Sequence, residues 1–206
     1  MPRSGLPRST VYAARAYAAV LWWIARRSQG SDLLRADIAR WVQCTGRDDL
    51  ACLPDRDVFA YFTASLPEFR TVVHVRLRDK NAVVRRVLAR MYPVHPGTFF
   101  EAGSVGPGLF IHHGVGTLVS CESIGANFWI NQHVSLGFSS KGRPVVGDDV
   151  TIAAGAVVAG PITIASGTTV GANAVVRRST EEGSVLVAPE AHVLTRRAAD
   201  ATPAAD

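Results

Sequence analysis

Two histidines stand side by side at His112 and His113, in the segment LFIHHGVG, and a third follows at His133. A neutral imidazole near pH 7 can take a proton from a hydroxyl, so this pair is a candidate for general-base chemistry. The three histidines could instead ligate a metal, but adjacent histidines rarely point at one ion, and no metal is expected. No GxSxG nucleophile elbow occurs in the chain, which favours direct transfer of a group to an acceptor over a covalent enzyme intermediate. Arg143 lies in the loop from Gly137 to Val146, GFSSKGRPVV, and its planar fork could hold a carboxylate in a bidentate pair. Each of these residues also has a plain reading, as a hydrogen-bonded corner histidine or an exposed loop arginine.

The element that must position them is written in a period of six. Aliphatic or aromatic residues return at Phe99, Val105, Ile111, Leu118, Ile124, Ile130, Leu136, Val146, Ile152, Val158, Ile164, Val170 and Val176. This is far from the helical 3.6 and signals a stacked repeat. Two steps break it, seven residues from Ile111 to Leu118 and ten from Leu136 to Val146, and both flank the candidate residues. A second inward set lies four positions on, at Phe128, Val134, Val150, Ala156, Ile162, Thr168 and Ala174, with small residues or Asn131 between the two sets. Two inward side chains per six residues describe a short strand and a tight corner, and three such units close a triangular coil. One coil cannot bury its apolar face alone, so several must stack, and about four are encoded. The spacing predicts a mostly β protein built as a parallel β-helix, without fixing its hand.

The stretch from Gly106 to Gly137, GPGLFIHHGVGTLVSCESIGANFWINQHVSLG, resembles the serine O-acetyltransferases among the hexapeptide-repeat acyltransferases, and the resemblance includes the seven-residue step. It runs through the repeats to about Val176 and more loosely to LVAPEAHVL. The resemblance implies a left-handed β-helix, acetyl-CoA as cosubstrate, a hydroxyl acceptor, and a homotrimer or dimer of trimers with sites between subunits. It places the general base on His113 and acceptor binding at His112, where the serine enzymes carry an aspartate. Contacts to CoA fall on Gly137, Ser139, Ala154 and Ala172. Arg143 replaces the family's second active-site histidine, Thr98 an orienting aspartate, and Thr169 a lysine near the CoA end. Trp129 reads either as a subunit-interface residue or as the cover of a coil face.

The N-terminal half is different. Residues 1–98 hold 16 Lys+Arg against 8 Asp+Glu, whereas residues 99–206 hold 6 against 9. Alanine-rich helical sequence follows Ser9 and Thr10 towards Gly30. A second helix is expected from Ser31 or Asp32 with Leu33, Leu34, Ile38 and Trp41 on its apolar face. The segment LPEFR, at Leu66 to Arg70, places a proline at a helix start, and the run Pro93, Pro96 and Gly97 marks a boundary. The expected organisation is therefore a helical assembly region over 1–97, the β-helix over 98–195, and a flexible tail over 196–206. Its arginines lack the aromatic interleaving of single-strand binders, so no nucleic acid is expected. AYAAVLWWIA, Ala16 to Ala25, is too short to span a membrane. Cys44, Cys52 and Cys121 are odd in number and lack CxxC spacing, which fits a reducing cytoplasm. Competing readings are an O-acetyltransferase for a sugar, antibiotic or natural product, a metal-dependent β-helix hydratase, and a non-catalytic interaction module.

Overall fold

The computed structural model describes residues 5–137 and 140–193. Among these residues five α-helices come first: α1 (Arg8–Ala25), α2 (Ser31–Cys44), α3 (Asp55–Ser65), α4 (Pro67–Arg76) and α5 (Ala82–Met91). In α1, Ala14, Ala18, Leu21 and Ala25 recur at three- and four-residue spacing and are buried, as one helical face requires. In α2 the buried residues include Leu34, Ile38 and Trp41, while Leu33 is only partly covered. Pro67 opens α4 at a position where its missing N–H costs nothing, and Asn81 caps α5 by accepting from Val84 N at 2.9 Å. No described helix is long and apolar enough to cross a membrane.

Twelve short strands follow among the described residues: β1 (Phe99–Val105), β2 (Phe110–Ile111), β3 (Leu118–Ile124), β4 (Trp129–Ile130), β5 (Ser135–Gly137), β6 (Val145–Val146), β7 (Thr151–Ile152), β8 (Val157–Ala159), β9 (Thr163–Ile164), β10 (Thr169–Val170), β11 (Val175–Val176) and β12 (Val185–Leu186). Every pairing is parallel and joins one turn to the next. The first face is β2-β4-β7-β10-β12. The second begins with the N-terminal part of β1, continues through that of β3, and adds β5, β8 and β11. The third uses the C-terminal parts of β1 and β3, then β6 and β9. The result is a left-handed parallel β-helix of about five turns, one more than the repeat count suggests, because β12 continues the first face beyond Val176, the last residue of the six-residue series.

The inward row differs from the sequence reading at two places. Leu118 is 43% exposed and Phe99 51%, while Val119 is buried and Phe100 is partly buried against the core. β1 and β3 are seven-residue strands that bend through a corner without a turn, so their pleat places the second residue inside rather than the first. The step leaving Ile111 is therefore eight residues, to Val119, and the following step, to Ile124, is five.

The helices are fastened to the first turn by a buried ion pair. Arg76 donates from Nε to Asp37 Oδ2 at 2.7 Å and from Nη2 to Oδ1 at 2.9 Å, and Asp37 Oδ1 also accepts from Gly108 N and Leu109 N at 2.9 and 2.8 Å. Arg76 then reaches the carbonyls of Val105 and Gly106, both at 2.6 Å. Both charges are thus surrounded by partners, which a buried pair needs. Trp41 adds an indole N–H to Leu109 O at 2.9 Å and packs edge-on to Phe110. This clamp fixes the loop that leads straight into His112.

Candidate active site

Four corners joining the first face to the second stack along one edge of the β-helix. They comprise residues 112–117, 131–134, 153–156 and 171–174, so the first is two residues longer than the others. The regular corners each place a left-handed residue third, at His133 (φ 56°), Gly155 (φ 71°) and Asn173 (φ 58°). Successive corners are tied by backbone bonds, His133 N to Val115 O, Gly155 N to Gln132 O and Asn173 N to Ala154 O. In this ladder Gly116 (φ 64°) occupies the matching place of the first corner. His113 and Gly114 are then the inserted pair, and His113 is itself left-handed, at φ 53°. A non-glycine residue held there is strained by about 1–3 kcal/mol, a strain that concentrates at functional sites.

The insert is braced rather than loose. Thr98 donates its hydroxyl to Gly114 O at 2.6 Å, and Val115 N bonds to His113 O at 2.6 Å. A Cβ added at Gly114 would lie 3.0 Å from Ile111 Cγ2, 3.3 Å from Thr98 Oγ1 and 3.5 Å from Glu68 Cγ. Glu68, from the first turn of α4, therefore packs beside the residue that follows His113. It has no ion-pair partner among the described residues.

The His113 ring is exposed, and its side chain makes no hydrogen bond among the described residues. The two imidazole centroids lie 4.0 Å apart. His112 is half-buried, stacks on Phe110 at 5.9 Å with the planes 21° apart, and approaches Asn131 Oδ1 through Nδ1 at 3.2 Å. Trp129 donates its indole N–H to the same oxygen at 2.9 Å.

The other predicted residues divide between two edges. Ala154 and Ala172 occupy the corners of the third and fourth turns, on the same edge as His113. Gly137 ends β5, and Arg143 precedes β6, so both belong to the corner between the second and third faces. Arg143 donates to Glu101 Oε1 at 3.2 Å across an exposed pair. Within one chain, then, Arg143 is not brought to the histidine edge. Ser139 lies outside the described residues, as does the tail over 196–206. Nearby, burial pushes the Cys121 thiol up to about 12, which makes it a packing residue rather than a nucleophile. No cluster of metal-binding side chains occurs among the described residues. Sequence reasoning passed over Glu68 and the bond between Trp129 and Asn131. The available signal for Glu68 was a carboxylate placed directly after the proline that starts α4.

The bacterial transferase hexapeptide family (six repeats) matches residues 143–178. A serine acetyltransferase of Staphylococcus xylosus is 36% identical over 130 residues, 60% of this chain and 60% of that protein. One from Helicobacter pylori is 36% identical over 108 residues, 50% of this chain and 60% of that protein. The matches thus span about 60% of these relatives' length. Among solved structures, serine acetyltransferase isoform 3 of Entamoeba histolytica, in complex with cysteine, has a TM-score of 0.61 at 24% identity, covering 91% of this chain and 72% of that one. The Neisseria gonorrhoeae serine acetyltransferase in complex with serine has a TM-score of 0.61 at 22% identity, covering 89% and 82%. At that identity the structures establish the fold, and the sequence matches establish the likeness: this chain is a hexapeptide-repeat β-helix protein similar to the serine acetyltransferases.

Proposed function

We propose that the chain is an acetyltransferase that moves the acetyl group of acetyl-CoA to the hydroxyl of serine. The observation that carries this reading is the inserted pair His113–Gly114, which sets an exposed imidazole, without a hydrogen bond among the described residues, on a strained, braced corner. His113 takes the hydroxyl proton as the oxygen attacks the thioester carbonyl. The carbon–sulfur bond breaks, and the departing thiolate receives that proton, so the products are the ester and free CoA. Ala154 and Ala172 keep the edge above His113 low enough for the pantetheine arm, and Gly137 and Ser139 serve the same ligand from the adjoining loop. Glu68 supplies, beside the site, the negative charge that balances the acceptor's ammonium group, a charge that His112 does not bring to the position of the family's aspartate. Arg143 reaches an acceptor only if a second copy brings its corner to the first, as in a trimer. The helical region over 1–97 serves assembly, and the β-helix over 98–195 carries the chemistry, in the cytoplasm.

The test is thiol release from acetyl-CoA by the purified full chain, with serine compared against a panel of sugars and other hydroxyl compounds. Serine-dependent release with O-acetylserine as product is expected. Release with a sugar and none with serine would overturn the acceptor, and no release with any acceptor would overturn the enzyme reading.

A further inference from the structure

An indole N–H can only donate, so the Asn131 side-chain atom facing Trp129 Nε1 at 2.9 Å must be the amide oxygen. That oxygen can only accept. The His112 Nδ1 that meets it at 3.2 Å therefore carries the ring proton, and in the neutral ring Nε2 is left as a lone pair. The backbone supports the arrangement from both sides, because His112 N donates to Ile130 O at 2.8 Å and Asn131 N to Ile152 O at 3.0 Å. Phe110 holds the face of the imidazole. Trp129 and Asn131 lie on the next turn, so the coil above His112 dictates its tautomer.

We infer that Trp129 and Asn131 are positioning residues that lock His112 with Nδ1 protonated, so that Nε2 recognises an N–H or O–H donor on the acceptor next to the hydroxyl that reacts at His113. The inference rests on the acetyl-transfer reading above and specifies the acceptor's chemistry. With the two rings 4.0 Å apart, a molecule whose hydroxyl meets His113 lies within reach of His112. Serine meets the requirement through its ammonium N–H. 3-Hydroxypropionate, which lacks the amino group, does not. His112 is thereby an acceptor of a hydrogen bond without being a negative charge, a different way of recognising the amine from an aspartate.

Two measurements test this on the full chain. Nitrogen-15 NMR of the imidazoles, with the His112 signals assigned by their loss in His112→Gln, should show Nδ1 protonated and Nε2 unprotonated in the wild-type protein at neutral pH. In Trp129→Phe the Asn131 amide is free to turn, and the His112 signals should report a mixture or reversal of the two tautomers. In kinetics, Asn131→Leu and Trp129→Phe should each raise KM for serine about tenfold, the effect of one such hydrogen bond, with kcat within about threefold of wild type. KM for 3-hydroxypropionate should not change. A wild-type His112 with Nε2 protonated overturns the proposal whatever the kinetics show. So does an unchanged KM for serine in both variants. If the wild-type protein turns over no serine, the acetyl-transfer reading fails separately, and the NMR result still decides the tautomer.

Discussion

The corner at residues 112–117 and the three stacked above it at 131–134, 153–156 and 171–174 solve the same problem in two ways. Each must reverse the chain between two faces and return it to the parallel ladder. The upper three do so in four residues, with one left-handed position and backbone bonds that pass the register from turn to turn. The first uses six, with two left-handed positions, and needs a threonine hydroxyl and the first turn of α4 to hold it. A regular corner passes the register of the solenoid from turn to turn. The longer one gives up regularity and presents an imidazole, the pattern expected where a local rule is broken for function.

The largest effect that tests this contrast is on catalysis. His113→Ala should lower kcat by roughly 10²- to 10⁴-fold, the contribution of a positioned general base, or about 3 to 5.5 kcal/mol of barrier. Affinity for CoA, measured by calorimetry, should hardly change. Near-normal turnover in this variant, together with its loss in His112→Ala, would move the base to His112 and make the inserted residue a mere spacer.

How much of this contrast was legible in the sequence depends on which interactions are local. The six-residue period survives as a pattern because each inward side chain meets its counterparts one turn above and below, so the fold could be read off the series ending at Val176. The interruption after Ile111 was also visible. Its true length was not, because Leu118 and Val119 are both apolar and only the bend of β3 decides which one enters the core. Glu68 was hidden for a different reason. It reaches the site from 46 residues upstream of Gly114 by tertiary packing of α4, and no sequence period links the two. Arg143 was a candidate because it stands where the resembled family carries a second active-site histidine, and that correspondence does not say which edge of a triangular coil the loop occupies within one chain.

A second prediction concerns the regular corners. Gly155→Ala puts a side chain at φ 71° and within 2.2 Å of Asn173 Oδ1, so Asn173 must turn away and the left-handed backbone becomes strained. A loss of about 1–2 kcal/mol in stability is expected, read as a lower urea midpoint, with kcat per folded enzyme retained. A large loss of kcat at unchanged stability would show that the upper corners are not passive.

A smaller effect is expected where the long corner is braced. Thr98→Val removes the hydroxyl that donates to Gly114 O at 2.6 Å but preserves shape. The cost to stability should be roughly 0.5–1.5 kcal/mol, the net worth of one hydrogen bond. Because the bond holds the residue after His113, kcat should fall several-fold as well, measured under saturating substrate. Loss of stability with unaltered kcat would mean that the insert is rigid without Thr98.

The smallest effect separates the two left-handed histidines most cleanly. His113 and His133 have φ values of 53° and 56°, and glycine relieves the left-handed penalty of about 1–2 kcal/mol at either place. Glycine also gives the unfolded chain more freedom, which offsets roughly 0.4–1 kcal/mol. A net gain of about 0.5–1 kcal/mol is therefore expected from His113→Gly and from His133→Gly alike, seen as a higher urea midpoint. Their activities should part: His133→Gly removes an exposed ring from a regular corner and should leave turnover unchanged, whereas His113→Gly should lower it as far as His113→Ala does while making the protein more stable. Stability gained at the price of activity is what strain retained for function predicts. If His113→Gly were instead less stable than wild type, its imidazole would be supporting the corner by packing, and the long corner would differ from the others in shape alone.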